Sequence, residues 1–408
     1  MSESFGGRTR RGFGYLAALR LVGLVLQVLI LRFVGKALSG QELSIFLVGV
    51  ALLAWSGMLG TAGFLPPLLR RMAQDSQILA ASIGPARKRA GIAALFFLAL
   101  ALPLGTPLWP ALCLAALHFL LPLHLAAAPE LLLGRTRLLA HAELLGRFLC
   151  LLAFGVLAWA DPAPAAQAWP WLILWWMAAL SPPLFLWLAL PSEARWAFCR
   201  RQARAPRPAK SHAESVVALG DFLRSGWFHG IHPVLRALVG SIGYQGFGTA
   251  FTLHRVGTTL PSALATTVQG PLSRGSDTDQ RQRLLRILPA WLGLGALGAL
   301  VGVLLAEPIL HFLFPNLSPA SGTQALSSLR LLMASWPALF GAGLCLPFLL
   351  ARGRETQVAW LSATALLLCF TVLFSLLPIL GPVAAAWALL ATEVFVFVSS
   401  FTLVLTPR

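Results

Sequence analysis

Residues 13–35 read FGYLAALRLVGLVLQVLILRFVG. A helix of about 20 apolar residues crosses the hydrocarbon core of a bilayer, so this run is long enough to span one. It carries Arg20 within it and Arg32 near its end, although an arginine at the bilayer centre costs about 2.5–3.5 kcal/mol on insertion scales. The same placement returns 204 residues later, where Leu19-Arg20 falls on Leu223-Arg224 and Leu31-Arg32 on Leu235-Arg236. Over 19–70 against 223–274 the match also pairs Gln41 with Gln245, Pro67-Leu68 with Pro271-Leu272 and Arg70 with Arg274. Every arginine of the first window therefore meets an arginine. A second match, at an offset of 219, pairs Gly134-Arg135 with Gly353-Arg354 and Leu149-Cys150 with Leu368-Cys369. These offsets predict two copies of one unit.

Further apolar runs at 43–69, 90–106, 108–133, 138–160, 169–190, 215–242, 246–272, 287–306, 324–350, 358–378 and 382–405 bring the number of expected spans to twelve. The seventh is the most polar. The loops then give the orientation. With the N-terminus inside, 23 of the 31 lysines and arginines fall in inside segments, Lys36 alone falls outside, and seven arginines lie at membrane depth. That is the asymmetry expected of a multi-pass protein with both termini in the cytoplasm. An even number of spans per copy makes the repeats parallel. The expected class is an all-α integral membrane protein of about twelve helices in two parallel six-helix repeats. Its parts are an N-terminal lobe at 1–190, a basic cytoplasmic linker at 191–214 and a C-terminal lobe at 215–408.

Composition agrees. Hydrophobic residues make up 58% of the 408 and charged residues 11%, where a soluble domain has about 25% charged. A soluble enzyme, a disordered chain and a coiled coil are excluded. The net charge of +17 is dispersed between apolar runs, which argues for asymmetric membrane loops and against nucleic-acid binding. Thr9-Arg10-Arg11-Gly12-Phe13 looks a little like a twin-arginine export signal, but the run after it holds Arg20 and leads straight into more spans. It reads as a first spanning helix. The five cysteines Cys113, Cys150, Cys199, Cys345 and Cys369 form no CxxC pair, so neither a disulfide scaffold nor a zinc site is expected. No phosphate loop of the GxxxxGK[ST] type and no nucleophile–base arrangement occurs, so the chain reads as a transporter without cofactor or metal rather than an enzyme.

The candidate site residues come from charges placed where lipid should be. Arg20 lies eight residues past Gly12, roughly 12 Å along its helix. Arg224 is at the matching depth on span seven, and Arg255 lies within span eight. At about 100° per residue, Asp221, Arg224, Ser225, His229, His232 and Arg236 share one arc of span seven. Thr252, Arg255, Thr258, Thr259, Ser262, Thr266 and Gln269 share one arc of span eight. Arg20 and Gln27 share a face of span one. Such stripes must face protein or water. The substrate-binding candidates are Arg20, Arg224, Arg255, Gln27, His232, Arg236, Thr259 and Ser262. Arg32, Arg236 and Arg330 also lie near outer helix ends, where snorkelling to headgroups accounts for them. The acids Glu393 and Asp221 are candidates to sense a coupling ion, or else counter-ions for arginine. The excess of arginine over acid at depth points to an anionic cargo, and phosphate and pyrophosphate match the arginine fork best.

Several segments resemble a known family. They are Leu31-Arg32-Phe33-Val34-Gly35 with Gly40-Gln41-Glu42, Leu59-Gly60-Thr61-Ala62-Gly63 leading to Leu68-Leu69-Arg70, and Gly270-Pro271-Leu272-Ser273-Arg274. Ala306-Glu307-Pro308-Ile309-Leu310, Phe312-Leu313-Phe314-Pro315 and Gly381-Pro382-Val383-Ala384-Ala385-Ala386-Trp387-Ala388 complete the set. Together they resemble a polysaccharide (Wzx-type) flippase of the MOP (multidrug/oligosaccharidyl-lipid/polysaccharide) exporter superfamily. The family often has a glycine after the acidic residue that follows helix one; here Leu43-Ser44 stand there. The resemblance implies a MATE-like two-lobe bundle working by alternating access in the bacterial cytoplasmic (inner) membrane. It implies an undecaprenyl-pyrophosphate-linked oligosaccharide as cargo, for O-antigen, capsule or exopolysaccharide assembly. Implied partners are membrane lipids and the glycan polymerase and glycosyltransferases of the pathway. Lipid II flippases carry essential arginines on helices one and eight, which Arg20 and Arg255 match. The alternatives are a MATE-like or other exporter of a small anionic or amphipathic solute, a major-facilitator transporter, whose usual loop motif is absent from Arg70–Arg89, and a membrane glycan polymerase, which would need a large outer loop.

The topology predicts that a membrane-impermeant thiol reagent labels Cys199 only after permeabilisation. Labelling of Cys199 in intact cells would invert the assignment.

Overall fold

The computed structural model describes residues 5–61, 78–126, 136–160, 166–190, 212–272 and 277–406. Helices fall on each of the twelve apolar runs. The first half holds α1 (Phe5–Ala37), α2 (Gly40–Thr61), α3 (Ile78–Ala101), α4 (Leu108–Leu117, continued by a 3-10 segment His118–Ala126), α5 (Thr136–Ala160) and α6 (Ala168–Ala189). The second half holds α7 (His212–His229), α8 (Ile231–Leu272), α9 (Asp277–Leu313), α10 (Pro319–Ala334), α11 (Trp336–Ala351), α12 (Glu355–Leu380) and α13 (Ala384–Leu405). By length and apolarity, six helical stretches of the described residues qualify as spans, and seven with the bent α10–α11 pair. The stretch Glu355–Leu405 counts once there although it contains both α12 and α13. The charged helices α1, α3, α7 and α8 are not among them. The linker 191–214 lies outside the described residues up to Ser211.

Among the described residues, span four passes from α-helix into a 3-10 segment at His118, and spans seven and ten are broken where the sequence predicts continuous helices. Span seven stops at His229 and resumes at Ile231, because Pro233 has no N–H to give the His229 carbonyl four residues back. Its last turns then belong to α8, which itself kinks at Gly240 (φ 73°, ψ 177°). That left-handed φ is open to glycine at no steric cost. A straight helix of 42 residues would run to about 63 Å, twice the hydrocarbon thickness; the kink returns the chain into the bundle. Span ten is bent by 43° between α10 and α11, where Pro337 removes another donor. The Ser335 hydroxyl there donates to the Leu332 carbonyl at 2.7 Å.

The surface is apolar, as lipid demands: Trp159, Ile379, Leu367 and Leu304 are all exposed. Packing inside uses small residues, with Ala384, Ala385, Ala386 and Ala388 of α13 fully buried, the means by which membrane helices approach closely. Helix ends are capped from a distance. The Glu42 carboxylate accepts the Ala168 N–H at 2.7 Å at the start of α6. Arg354, 7% exposed, donates to the Leu403 carbonyl at 2.6 Å, the Thr406 carbonyl at 3.0 Å and the Thr406 hydroxyl at 3.4 Å. These are the last carbonyls of α13, which have no intrahelical donor.

Arg354→Ala is expected to lower the thermal stability of the purified protein in detergent by about 1.5–3 kcal/mol, the scale of hydrogen bonds to a charged group. A melting curve of the variant against the parent measures it.

Candidate functional site

The two halves meet through α1 and α2 on one side and α7, α8 and α9 on the other. These elements carry the polar residues singled out in the sequence. Trp55 of α2 stacks on Phe222 of α7 with centroids 5.8 Å apart and planes at 12°, while Phe96 of α3 meets both rings edge-on. The Trp55 ring also lies against Gly230, where span seven is broken; a Cβ there would come within 2.9 Å of it. The helix break and the bulky ring occupy each other's space.

Around this contact the predicted residues separate into distinct groups. Arg224 is exposed and Asp221 half-buried on α7. Both line a small cleft with Glu355 and Ser362, bounded by α7, α11 and α12, so this cleft lies within the second half. Glu393 of α13 is buried, within electrostatic reach of Arg224 and beside Trp227.

The arc predicted for span seven does not face water throughout. Ser225, His229, His232 and Arg236 are all buried. His232 Nδ1 pairs with the Tyr244 hydroxyl at 2.6 Å and its ring meets Phe251 edge-on at 4.2 Å. Arg255, half-buried on α8, lies within electrostatic reach of His229 and His232, so spans seven and eight do converge at this arginine. The threonine stripe of α8 is partly satisfied by its own helix: Thr252 donates to the Gly248 carbonyl at 2.9 Å and Thr258 to the Arg255 carbonyl at 2.8 Å. His254 accepts the Trp336 indole N–H at 3.0 Å, and His118 pairs with Ser56 at 2.8 Å. Both are packed histidines. Gln27 is half-buried on α1. Arg20 lies on α1, and Thr259 and Ser262 lie on α8, with side chains outside the described residues.

Arg236 and Arg32 depart from the sequence reading. Neither snorkelling nor an open cavity describes Arg236, which is 7% exposed. Its guanidinium donates to the Leu104 carbonyl of the other half and to the Ser241 hydroxyl at 3.3 Å. Arg32 donates to the Phe312 carbonyl, again across the halves, and lies over the Phe312 ring at 4.7 Å. The sequence signal for this pair was their alignment at the 204-residue offset.

No protein-family model matches the chain, and no curated protein matches it in sequence. Solved structures do match. An inward-facing multidrug resistance MATE family transporter of the MOP superfamily aligns over 95% of this chain and 98% of its own, with TM-score 0.66 and 13% identity. A MOP superfamily transporter from Pyrococcus furiosus, whose reversed binding-pocket polarity suggests a different function, aligns over 97% and 95%, with TM-score 0.64 and 14% identity. The lipid II flippase MurJ in an inward closed conformation aligns over 97% and 87%, with TM-score 0.59 and 11% identity. The chain has the fold of the MOP transporters. The contacts between the halves described above join α1 and α2 to α7, α8 and α9.

Proposed function

We propose that the chain is a secondary transporter of the MOP superfamily that flips an undecaprenyl-pyrophosphate-linked oligosaccharide from the cytoplasmic to the periplasmic leaflet. The lobes at 1–190 and 215–408 rock about their contact, joined by the cytoplasmic linker 191–214. The observation that carries the reading is the arginine surplus at depth on the elements between the lobes, with Arg224 exposed and Arg255 half-buried among the described residues. A guanidinium fork binds phosphate bidentately and keeps its charge at any physiological pH. Arg20 and Arg224, at matched depths on repeat-related helices, receive the pyrophosphate from the cytoplasmic leaflet, and Arg255 takes it further out. Gln27, Thr259 and Ser262 offer hydrogen bonds to the same headgroup, whereas His232, buried against Tyr244 and Phe251, is withdrawn from it. The likeness to MATE structures supports a second reading, export of a smaller anionic or amphipathic solute through the same basic cavity.

Complementation of a flippase-deficient strain tests the cargo. Arg20→Ala, Arg224→Ala and Arg255→Ala should each reach normal protein level and weaken export, with affinity down about ten- to a hundredfold for each lost charge-assisted contact. Lysine at the same positions should recover only part, because the fork is lost while the charge remains. Full export by all three alanine variants would sink the basic-cavity mechanism.

Coupling is tested separately. Glu393→Gln is expected to alter the dependence of transport on proton or sodium gradients, measured in proteoliposomes. An unchanged dependence would leave Glu393 only its place beside Arg224.

A further inference from the structure

Arg32 and Arg236 stand 204 residues apart and belong to matching positions of the two repeats. Their acceptors, Phe312 and Leu104, stand 208 residues apart. Arg32 of the first half reaches the last turn of α9 in the second half. Arg236 of the second half reaches the turn just past α3 in the first half. The two contacts are therefore the same contact made twice, in opposite directions, across the boundary between the halves. Both sit at one end of the bundle, beside the α1–α2 turn and the Gly240 kink. On the orientation expected from the loops this is the outer end.

The surroundings show that the contact is built for close approach. The Phe312 carbonyl belongs to the final turn of its helix, where no intrahelical N–H is available. Gly35, one helical turn beyond Arg32, lies so close to α9 that a Cβ would collide with the Leu313 carbonyl and come within 2.8 Å of the Phe314 ring. The Asn316 side-chain amide donates to the Lys36 carbonyl at 3.0 Å, adding a third bond across the same boundary. Arg236 is buried where it crosses, so water is a poor substitute for its acceptor.

We infer that Arg32 and Arg236 are paired latches holding the halves together at this end, and that both must release before the end can open. The inference rests on the reading of the chain as a rocking two-lobe transporter. As each arginine caps the opposite lobe, loss of either one biases a single rigid-body equilibrium and affects both contacts. An arginine that merely stabilised its own neighbourhood would loosen only the segment it touches.

Hydrogen–deuterium exchange of the full-length protein in nanodiscs, without substrate, separates the two. The segments to follow are 100–108 and 310–318. Either Arg32→Ala or Arg236→Ala should speed exchange about tenfold or more in both segments, the scale of one hydrogen bond from a charged donor. Arg32→Lys should give a smaller rise. Gly35→Ala, which changes no charge, should open the same two segments by steric wedging. Faster exchange confined to the segment each arginine touches would overturn the inference, and so would unchanged exchange in both. If an arginine variant does not fold, Gly35→Ala decides by the same criterion. The measurement needs no cargo, so loss of the polysaccharide reading in the complementation assay leaves its outcome intact.

Discussion

Inside a bilayer a polar group has no water to bond with, and the architecture follows from that constraint. Wherever a helix is broken or an arginine enters the apolar zone, something in the protein must answer. Much of the answer comes from backbone carbonyls. Arg32, Arg236 and Arg354 all donate to carbonyls at or just beyond helix ends. Ser335, Thr252 and Thr258 return their hydroxyls to their own helices. A helix terminus has acceptors without donors and an arginine has donors without an acceptor, so each deficit meets the other.

The same constraint explains why the second half is more than a copy of the first. Span one runs as a single helix, Phe5–Ala37, while span seven is split at Gly230 and the chain kinks again at Gly240. The split lets the span approach Trp55 of the opposite half, and His229, His232 and Arg236 lie in packed surroundings. There His232 Nδ1 pairs with the Tyr244 hydroxyl inside an aromatic cluster.

The all-helical membrane class and the rough positions of the helices were legible in the sequence because hydrophobic run length is a local signal. The breaks were less so. Pro233 and Pro337 are visible in the sequence, but whether a proline kinks a span or caps one depends on what packs against the freed carbonyl. Of the candidate site, the sequence placed Arg224, Arg255, His229 and His232 on helices, but did not show the position of Arg224 in a cleft within the second half. Nor did it show the bonds of Arg32 and Arg236 to carbonyls over a hundred residues away. A carbonyl is present at every residue, so it leaves no mark in a sequence to search for.

That anonymity has an evolutionary side. In each of the two contacts between the halves one partner is a guanidinium and the other is main chain. Substitutions at positions 104 and 312 can change the side chain and leave the acceptor in place, provided the local backbone holds, while a change at 312 also removes the ring beneath Arg32. The hydrogen bond itself is open to replacement only on its arginine side. The exposed rim of the protein is therefore free to drift in size and composition while the contact between the lobes persists. Correlated substitutions between the partners, the usual trace of a side-chain pair, are not expected here.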